Sequence, residues 1–466
     1  MSLGEIYHSW AFDVLEWVIR AGALLVIPFR RKFTAAAWLL LIFFLPLPGL
    51  LLFWMIGQPK FPQSRIDKFQ EVRPFFERLT AELKCYRPAL TTPPSLFAER
   101  VGYLPAVGGN SVELLDDYDA AIGKLIADID AARTRISLVV YIFASDAVAR
   151  TVIGALGRAV ARGVDCKVLI DPVGSLKWVR RTVRLLREAG VPTREALPIH
   201  WLKRPTRRDM RNHRKLFIID GRIGYAGSQN IVAKNFRPGV TNRELVARCT
   251  GPIVAEMEAV FLADWFVETG TGPPETMELP HPTGEAIAQI LASGPEFPTA
   301  GFETFLVWQL HQARRRAIIA TPYFIPDQDV LAAMRTAVAR GVEVDLVVSK
   351  IADHPIVYLA QRSYYDDLLF AGVGIHMFNK YLLHAKNVSI DGELAIVGSS
   401  NVDLRSFQLN EEVSLLLSDP ASVAAVEDIQ RGYIEASKSL DLETWRKRSR
   451  AVMVAENLAR LVSPLL

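Results

Sequence analysis

The strongest constraint on how this chain folds is that it repeats itself. Ala159-Val-Ala-Arg-Gly-Val164 recurs letter for letter as Ala337-Val-Ala-Arg-Gly-Val342. Each copy closes a helical pattern and opens a short β-branched run, Asp165–Ile170 in one and Glu343–Val348 in the other. Upstream lie Tyr141-Ile-Phe143 and Tyr323-Phe-Ile-Pro326, and downstream each copy carries the same polar motif. Six shared letters would be weak evidence alone; four matching features in one order are strong evidence of duplication. Strand patterns alternate with helical ones at Asp117–Ala132, Ala147–Arg162 and Val330–Arg340, which predicts an α/β architecture. The expectation is two pseudo-twofold-related lobes, 105–272 and 283–440, each a mixed β-sheet flanked by helices. Pro and Gly cluster between them, in Thr269–Glu275 and Leu279–Pro282, as a linker would. Residues 441–466 read as a C-terminal tail helix.

The polar motif reads His-x-Lys, four residues, Asp, six residues, then Gly-Ser-x-Asn. The first copy supplies His213, Lys215, Asp220, Gly227, Ser228 and Asn230; the second supplies His384, Lys386, Asp391, Gly398, Ser399 and Asn401. On an extended segment residues two apart share a face, so each imidazole is expected beside an ammonium. Two such pairs facing each other would surround a phosphate. Lys215, Lys386, Asn230 and Asn401 offer donors to its oxygens, with Ser228 and Ser399 in support. The imidazoles supply a nucleophile and a proton donor. The other histidines, His8, His200, His281, His311, His354 and His376, have no motif around them and are read as ordinary core or surface residues.

Asp220 and Asp391 belong to the motif and count with the catalytic set, yet each precedes a glycine between two short apolar runs. Asp-Gly in that setting is a hairpin signal, so a turn role is favoured for both. A different carboxylate must then orient each histidine. Glu244, in Asn242-Arg-Glu-Leu245, and Glu412, in Leu409-Asn-Glu-Glu-Val413, follow the Gly-Ser-x-Asn turns and are the candidates.

The first sixty residues differ in character. Ala35–Met55 carries no charge and is long enough to cross a bilayer core of about 30 Å. Val14–Phe29 is apolar but holds Glu16 and Arg20, so it either spans or lies at the interface. Residues 1–60 are therefore expected to be a membrane anchor of one or two transmembrane or interfacial helices, and 61–104 a linker. Mean hydropathy of +0.18, high for a soluble enzyme, agrees. Cys85, Cys166 and Cys249 share no metal-ligand spacing, which argues against a zinc site or a disulfide framework. Two basic stretches, Lys177, Arg180, Arg181, Arg184, Arg187 and Lys203, Arg204, Arg207, Arg208, Arg211, suit anionic headgroups, at roughly 1 kcal/mol per residue near a surface.

The duplicated His-x-Lys-x4-Asp motif resembles the signature of the phospholipase D superfamily. The resemblance extends over nearly the whole chain to the bacterial cardiolipin synthases, through Asp171-Pro-Val-Gly-Ser175, Ala263-Asp-Trp265, Ser293-Gly-Pro295, Thr321–Pro326 and Asn401–Phe407. It departs in the first lobe, where Glu244 stands in place of a frequent Asp and lacks the usual preceding aromatic. The resemblance implies a metal- and cofactor-independent enzyme of the bacterial inner membrane. One phosphatidylglycerol would pass its phosphatidyl group to a histidine and a second would take it, giving cardiolipin and glycerol. It implies His213 as nucleophile and His384 as general acid then base, or the reverse, with Glu244 and Glu412 orienting them. The motif itself also serves hydrolases, enzymes with other alcohol acceptors, and nucleases. The membrane segment, and the absence of a basic groove interleaved with aromatics, weigh against nucleic acid.

Overall fold

A computed structural model describes residues 10–30, 35–57, 61–198 and 210–462. The basic stretch Lys203, Arg204, Arg207 and Arg208 lies outside them, as do His8 and His200.

Fifteen strands join into one mixed sheet. In the first half they are β1 (Val107–Leu115), β2 (Arg135–Val140), β3 (Asp165–Ile170), β4 (Thr193–Glu195), β5 (Leu216–Ile219), β6 (Ile223–Gly227) and β7 (Val246–Thr250). In the second half they are β8 (Ala286–Ser293), β9 (Arg316–Thr321), β10 (Glu343–Ser349), β11 (Gly374–Phe378), β12 (Asn387–Ile390), β13 (Leu394–Gly398), β14 (Glu412–Leu417) and β15 (Ser437–Ser439). From the centre outwards one half runs β1-β7-β6-β5-β2-β3-β4, and the other β8-β14-β13-β12-β9-β10-β11-β15. Apart from the added edge strand the second order repeats the first.

Pairing directions repeat as well: β2, β3 and β4 are parallel, as are β9, β10 and β11, while the hairpins β5–β6 and β12–β13 pair antiparallel. The halves meet edge to edge where β1 pairs antiparallel with β8, Val107 opposite Ala288. That seam puts the two motif-bearing hairpins in the middle of one sheet. The inner parallel strands β2 and β10 are buried at every residue but their first, as strands covered on both faces are. Helix Ile253–Thr269 packs across the seam and is buried on almost every side.

The N-terminal region departs from expectation. Among the described residues no helix is long and apolar enough to cross a membrane. The uncharged run folds as two short helices, α2 (Ala35–Phe44) and α3 (Pro46–Ile56), broken at Leu45. Pro46 and Pro48 lack the N–H needed to continue the hydrogen bonding of α2, and both sit instead in the first turn of α3. A Cβ on Gly49 would lie 2.9 Å from the Ile42 Cα, so this glycine lets α3 fold back tightly on α2. Both pack on α1 (Trp10–Arg30) around Ala23, Ile27, Trp38, Ile42 and Phe53. Glu16 and Arg20, one turn apart, pair at 2.8 Å, and Arg20 also donates to the Phe43 carbonyl at 3.0 Å. The long helix α4 (Gln63–Glu82) then carries the chain onto the body, burying Phe69, Val72, Phe75, Phe76 and Leu79.

Candidate active site

His213 and Lys215 sit just before β5, and His384 and Lys386 just before β12. Each histidine-bearing segment bonds to the opposite half. His213 N–H donates to the Glu411 carbonyl at 2.8 Å, and Leu382-Leu383 pairs parallel with Asn242-Arg243, so that His384 N–H reaches the Arg243 carbonyl at 2.8 Å. The carboxylates therefore cross over. His213 Nδ1 lies 3.0 Å from both oxygens of Glu412, and His384 Nδ1 lies 2.8 Å from Glu244 Oε2. A charged carboxylate only accepts, so each Nδ1 carries a proton and each Nε2 is left with a lone pair.

Both imidazoles line one cavity of about 400 Å³, shared with Tyr141, Asn230, Tyr323 and Asn401. Its location between the two halves is what brings the two motifs to a single centre. Burial, with Lys215 and Lys386 close by, pushes His213 and His384 down to about 4 against the opposing pull of their carboxylates. Burial alone would raise Glu244 and Glu412, but the histidines, the lysines and a neighbouring serine hold both below the usual carboxylate range. Burial also lowers Lys215 to about 7 and Lys386 to about 8. Each ammonium donates to the carbonyl of its own motif histidine at 2.6 Å, and Lys215 stands 5.2 Å over the Tyr141 ring.

The remaining motif residues divide. Asn230 Oδ1 accepts from the Ile142 N–H at 2.9 Å, which turns its amide NH2 away from the backbone. Ser399 donates to Glu412 at 2.5 Å and accepts from the Val413 N–H; Ser228 accepts from the Leu245 N–H in the matching place. These serines brace the segments that carry the carboxylates. Asp220 and Asp391 do not join the cavity, which corrects their place in the catalytic set. Each sits at positive φ in its hairpin turn and accepts backbone N–H groups at the start of a neighbouring strand: Arg133 to Arg135 for Asp220, Arg314 to Arg316 for Asp391. Arg211 is also not a surface headgroup contact. It is buried, with a guanidinium nitrogen 3.6 Å from Asp171 and another donating to the Leu197 carbonyl.

Other residues of the site lie outside the duplicated His-x-Lys motif. Arg237, Asn242, His354, Asp403, Arg405 and Asn410 all line the cavity. Arg237 pairs with the buried Asp353, which also accepts from the Tyr323 hydroxyl at 2.6 Å, so the cavity rim is bridged between the halves. Behind the site Arg214 bonds to Asp264 and to Glu296, and donates to the carbonyls of Glu412 and Ser293. Asp171 accepts from the Asn212 N–H and from its own loop at Val173 and Gly174. Burial raises Asp171 to about 6. The quoted segments around Asp171, Asp264 and Ser293 thus support the histidine loop from beneath.

The family model described as "Cardiolipin synthase, PLD-like domain" matches residues 125–265 and 306–431. A protein named cardiolipin synthase A from Pectobacterium carotovorum subsp. carotovorum (strain PC1) is 35% identical over 98% of both chains. The chain belongs to the cardiolipin synthase family. Cardiolipin synthase A of Yersinia pseudotuberculosis serotype IB (strain PB1/+) is 36% identical over the same share of each chain. Among solved structures, phosphatidylserine synthase of Haemophilus influenzae Rd KW20 superposes with a TM-score of 0.59 at 16% identity, covering 80% of this chain and all of its own. A polyphosphate kinase from Porphyromonas gingivalis reaches a TM-score of 0.50 at 15% identity over 77% of this chain and 53% of that one. Those two likenesses are of fold, and they show that family members share an α/β frame with proteins of other names.

Proposed function

We propose that this chain is a phosphatidyltransferase that makes cardiolipin and glycerol from two molecules of phosphatidylglycerol. The observation that carries this reading is the pair of imidazoles on one cavity, each oriented by a buried glutamate from the other half. In the first step His213 Nε2 attacks the donor phosphorus, the bond to glycerol breaks, and His384 Nε2–H gives its proton to the leaving oxygen. In the second step the terminal hydroxyl of another phosphatidylglycerol gives its proton to His384 and attacks, and the P–N bond to His213 breaks. Lys215, Lys386, Asn230 and Asn401 hold the phosphoryl oxygens, while Glu244 and Glu412 keep each Nδ1 protonated. The anionic substrate also supplies the negative charge that lets His384 keep a second proton.

Two pseudo-twofold lobes, 105–272 and 283–440, with the site at their junction, account for the repeated strand order. The N-terminal block is the membrane attachment. Trp17, Leu24, Leu25, Phe44, Leu51 and Trp54 face outwards and suit the apolar layer, and the exposed basic face of helix Val179–Glu188 suits anionic headgroups of the inner membrane. Incubating the purified protein with phosphatidylglycerol and separating the lipids tests the function. Cardiolipin with released glycerol is the expected result, whereas phosphatidic acid without cardiolipin would make the protein a hydrolase.

A further inference from the structure

Three asparagines that line the cavity, Asn242, Asn401 and Asn410, each keep a buried side-chain oxygen with no hydrogen-bond partner among the described residues, and two of them are placed as a pair. Asn242 and Asn410 each stand two residues before an orienting glutamate, and each is 7% exposed. Asn242 Nδ2 donates to Glu244 Oε1 and Asn410 Nδ2 donates to Glu412 Oε1, both at 3.3 Å. The glutamates are charged and only accept, so the NH2 end of each amide must face its carboxylate; a flipped amide would set oxygen against oxygen. That leaves Asn242 Oδ1 and Asn410 Oδ1 buried without a partner among the described residues, on residues that line the cavity.

A ligand that satisfies such an oxygen must bring a proton donor, which a phosphodiester lacks. An ammonium headgroup would meet Arg237 and Arg405 in the same wall, with Lys215 and Lys386 close to the histidines, against one lining carboxylate, Asp403. A neutral hydroxyl meets no such repulsion. Asn401 Oδ1 is also unpartnered, but no carboxylate ties its amide, so either end can turn to a phosphoryl oxygen or a donor.

We propose that Asn242 reads the alcohol, accepting a hydrogen bond from the second hydroxyl of the glycerol headgroup. The assignment rests on the function proposed above. Glu244 orients His384, which handles the proton of the alcohol, and the leaving and entering alcohols pass on that same side of the phosphorus. Asn410 is the counterpart on the nucleophile's side and serves as an internal control.

The test offers equal concentrations of labelled glycerol and 1-propanol to the full-length enzyme on phosphatidylglycerol vesicles. Both alcohols attack one phosphohistidine, so the ratio of labelled phosphatidylglycerol to phosphatidylpropanol is independent of the first step. In Asn242→Ala that ratio is expected to fall about tenfold, the loss from one hydroxyl bond to a buried acceptor. Asn242→Ser, which keeps an oxygen acceptor, recovers part of the preference. Asn410→Ala slows both products together. An unchanged ratio in Asn242→Ala, a shift in Asn410→Ala instead, or loss of both products in both Asn242 variants overturns the proposal. Wild-type enzyme that forms no cardiolipin refutes the proposed function separately, since its glycerol-to-propanol ratio still reports on the subsite.

Discussion

Replacing Glu244 by Gln isolates the crossed carboxylate. Glu244 is 2% exposed and holds His384 Nδ1 at 2.8 Å, a length typical of a charge-assisted bond. The amide keeps the shape but removes the charge that favours a protonated His384, and it can present NH2 to Nδ1 and so reverse the tautomer. A hydrogen bond to a charged group contributes about 1.5–3 kcal/mol, and breaking a buried pair costs about 3–5 kcal/mol. Taking about 4 kcal/mol at the transition state, with about 1.4 kcal/mol per tenfold, turnover falls roughly a thousandfold. The matched control is Asp220→Asn. Asp220 Oδ1 accepts from the N–H groups of Arg133, Thr134 and Arg135 and from the Thr134 hydroxyl, with the Arg133 N–H shared with Oδ2, and an amide oxygen can take over the Oδ1 bonds. Its cost is expected near 1 kcal/mol of stability, with turnover within about threefold of wild type. Both variants are compared by cardiolipin formation in mixed micelles and by thermal unfolding. A stable but inactive Asp220→Asn beside a fully active Glu244→Gln would refute the assignment.

His213→Ala and His384→Ala are each expected to lose cardiolipin formation while unfolding at near wild-type temperature; near-normal turnover in either would end the two-histidine reading. Cardiolipin formation should persist in EDTA, because the cavity offers guanidinium and amide groups to the phosphate, with the Lys215 and Lys386 ammoniums beside the histidines; strict loss restored by a divalent ion, with unchanged lipid dispersion, would contradict this. The pH profile of kcat/KM reports on the free enzyme. Lys215 and Lys386, lowered to about 7 and about 8, are cationic below those values, so phosphodiester capture should weaken as pH rises through 7 to 8. His213, held near 4, stays neutral down to about that pH, so no loss of nucleophile is expected between 5 and 7. A profile flat from 6 to 9 would rule out this role for the lysines.

Much of the protein was written locally. The alternation of strand and helix, the two copies and the polar motif are all short-range patterns, and duplication showed each twice. Asp220-Gly221 and Asp391-Gly392 declared their turns by the same logic, since an αL turn is a property of a few consecutive residues. The two glutamates could be named as candidates because each follows a motif turn at similar spacing.

Which glutamate serves which histidine could not be read that way. Glu412 and His213 are 199 residues apart, and their bond exists because the halves meet at β1–β8 and exchange backbone bonds around the motifs. No periodicity encodes a contact made across such a seam. For the same reason His354, Arg237, Asn242 and Asn410 looked ordinary, and Arg211 looked like a surface charge until the fold closed Asp171 over it. At the N-terminus composition established an apolar block. Whether that block was one long helix or several short ones was decided by Pro46, Pro48 and the close approach at Gly49. Sequence thus determined which chemical groups this protein owns, because residue types and local spacings are carried along the chain. Tertiary structure alone decided which of them face one another, because that depends on where distant segments are brought into hydrogen-bonding range.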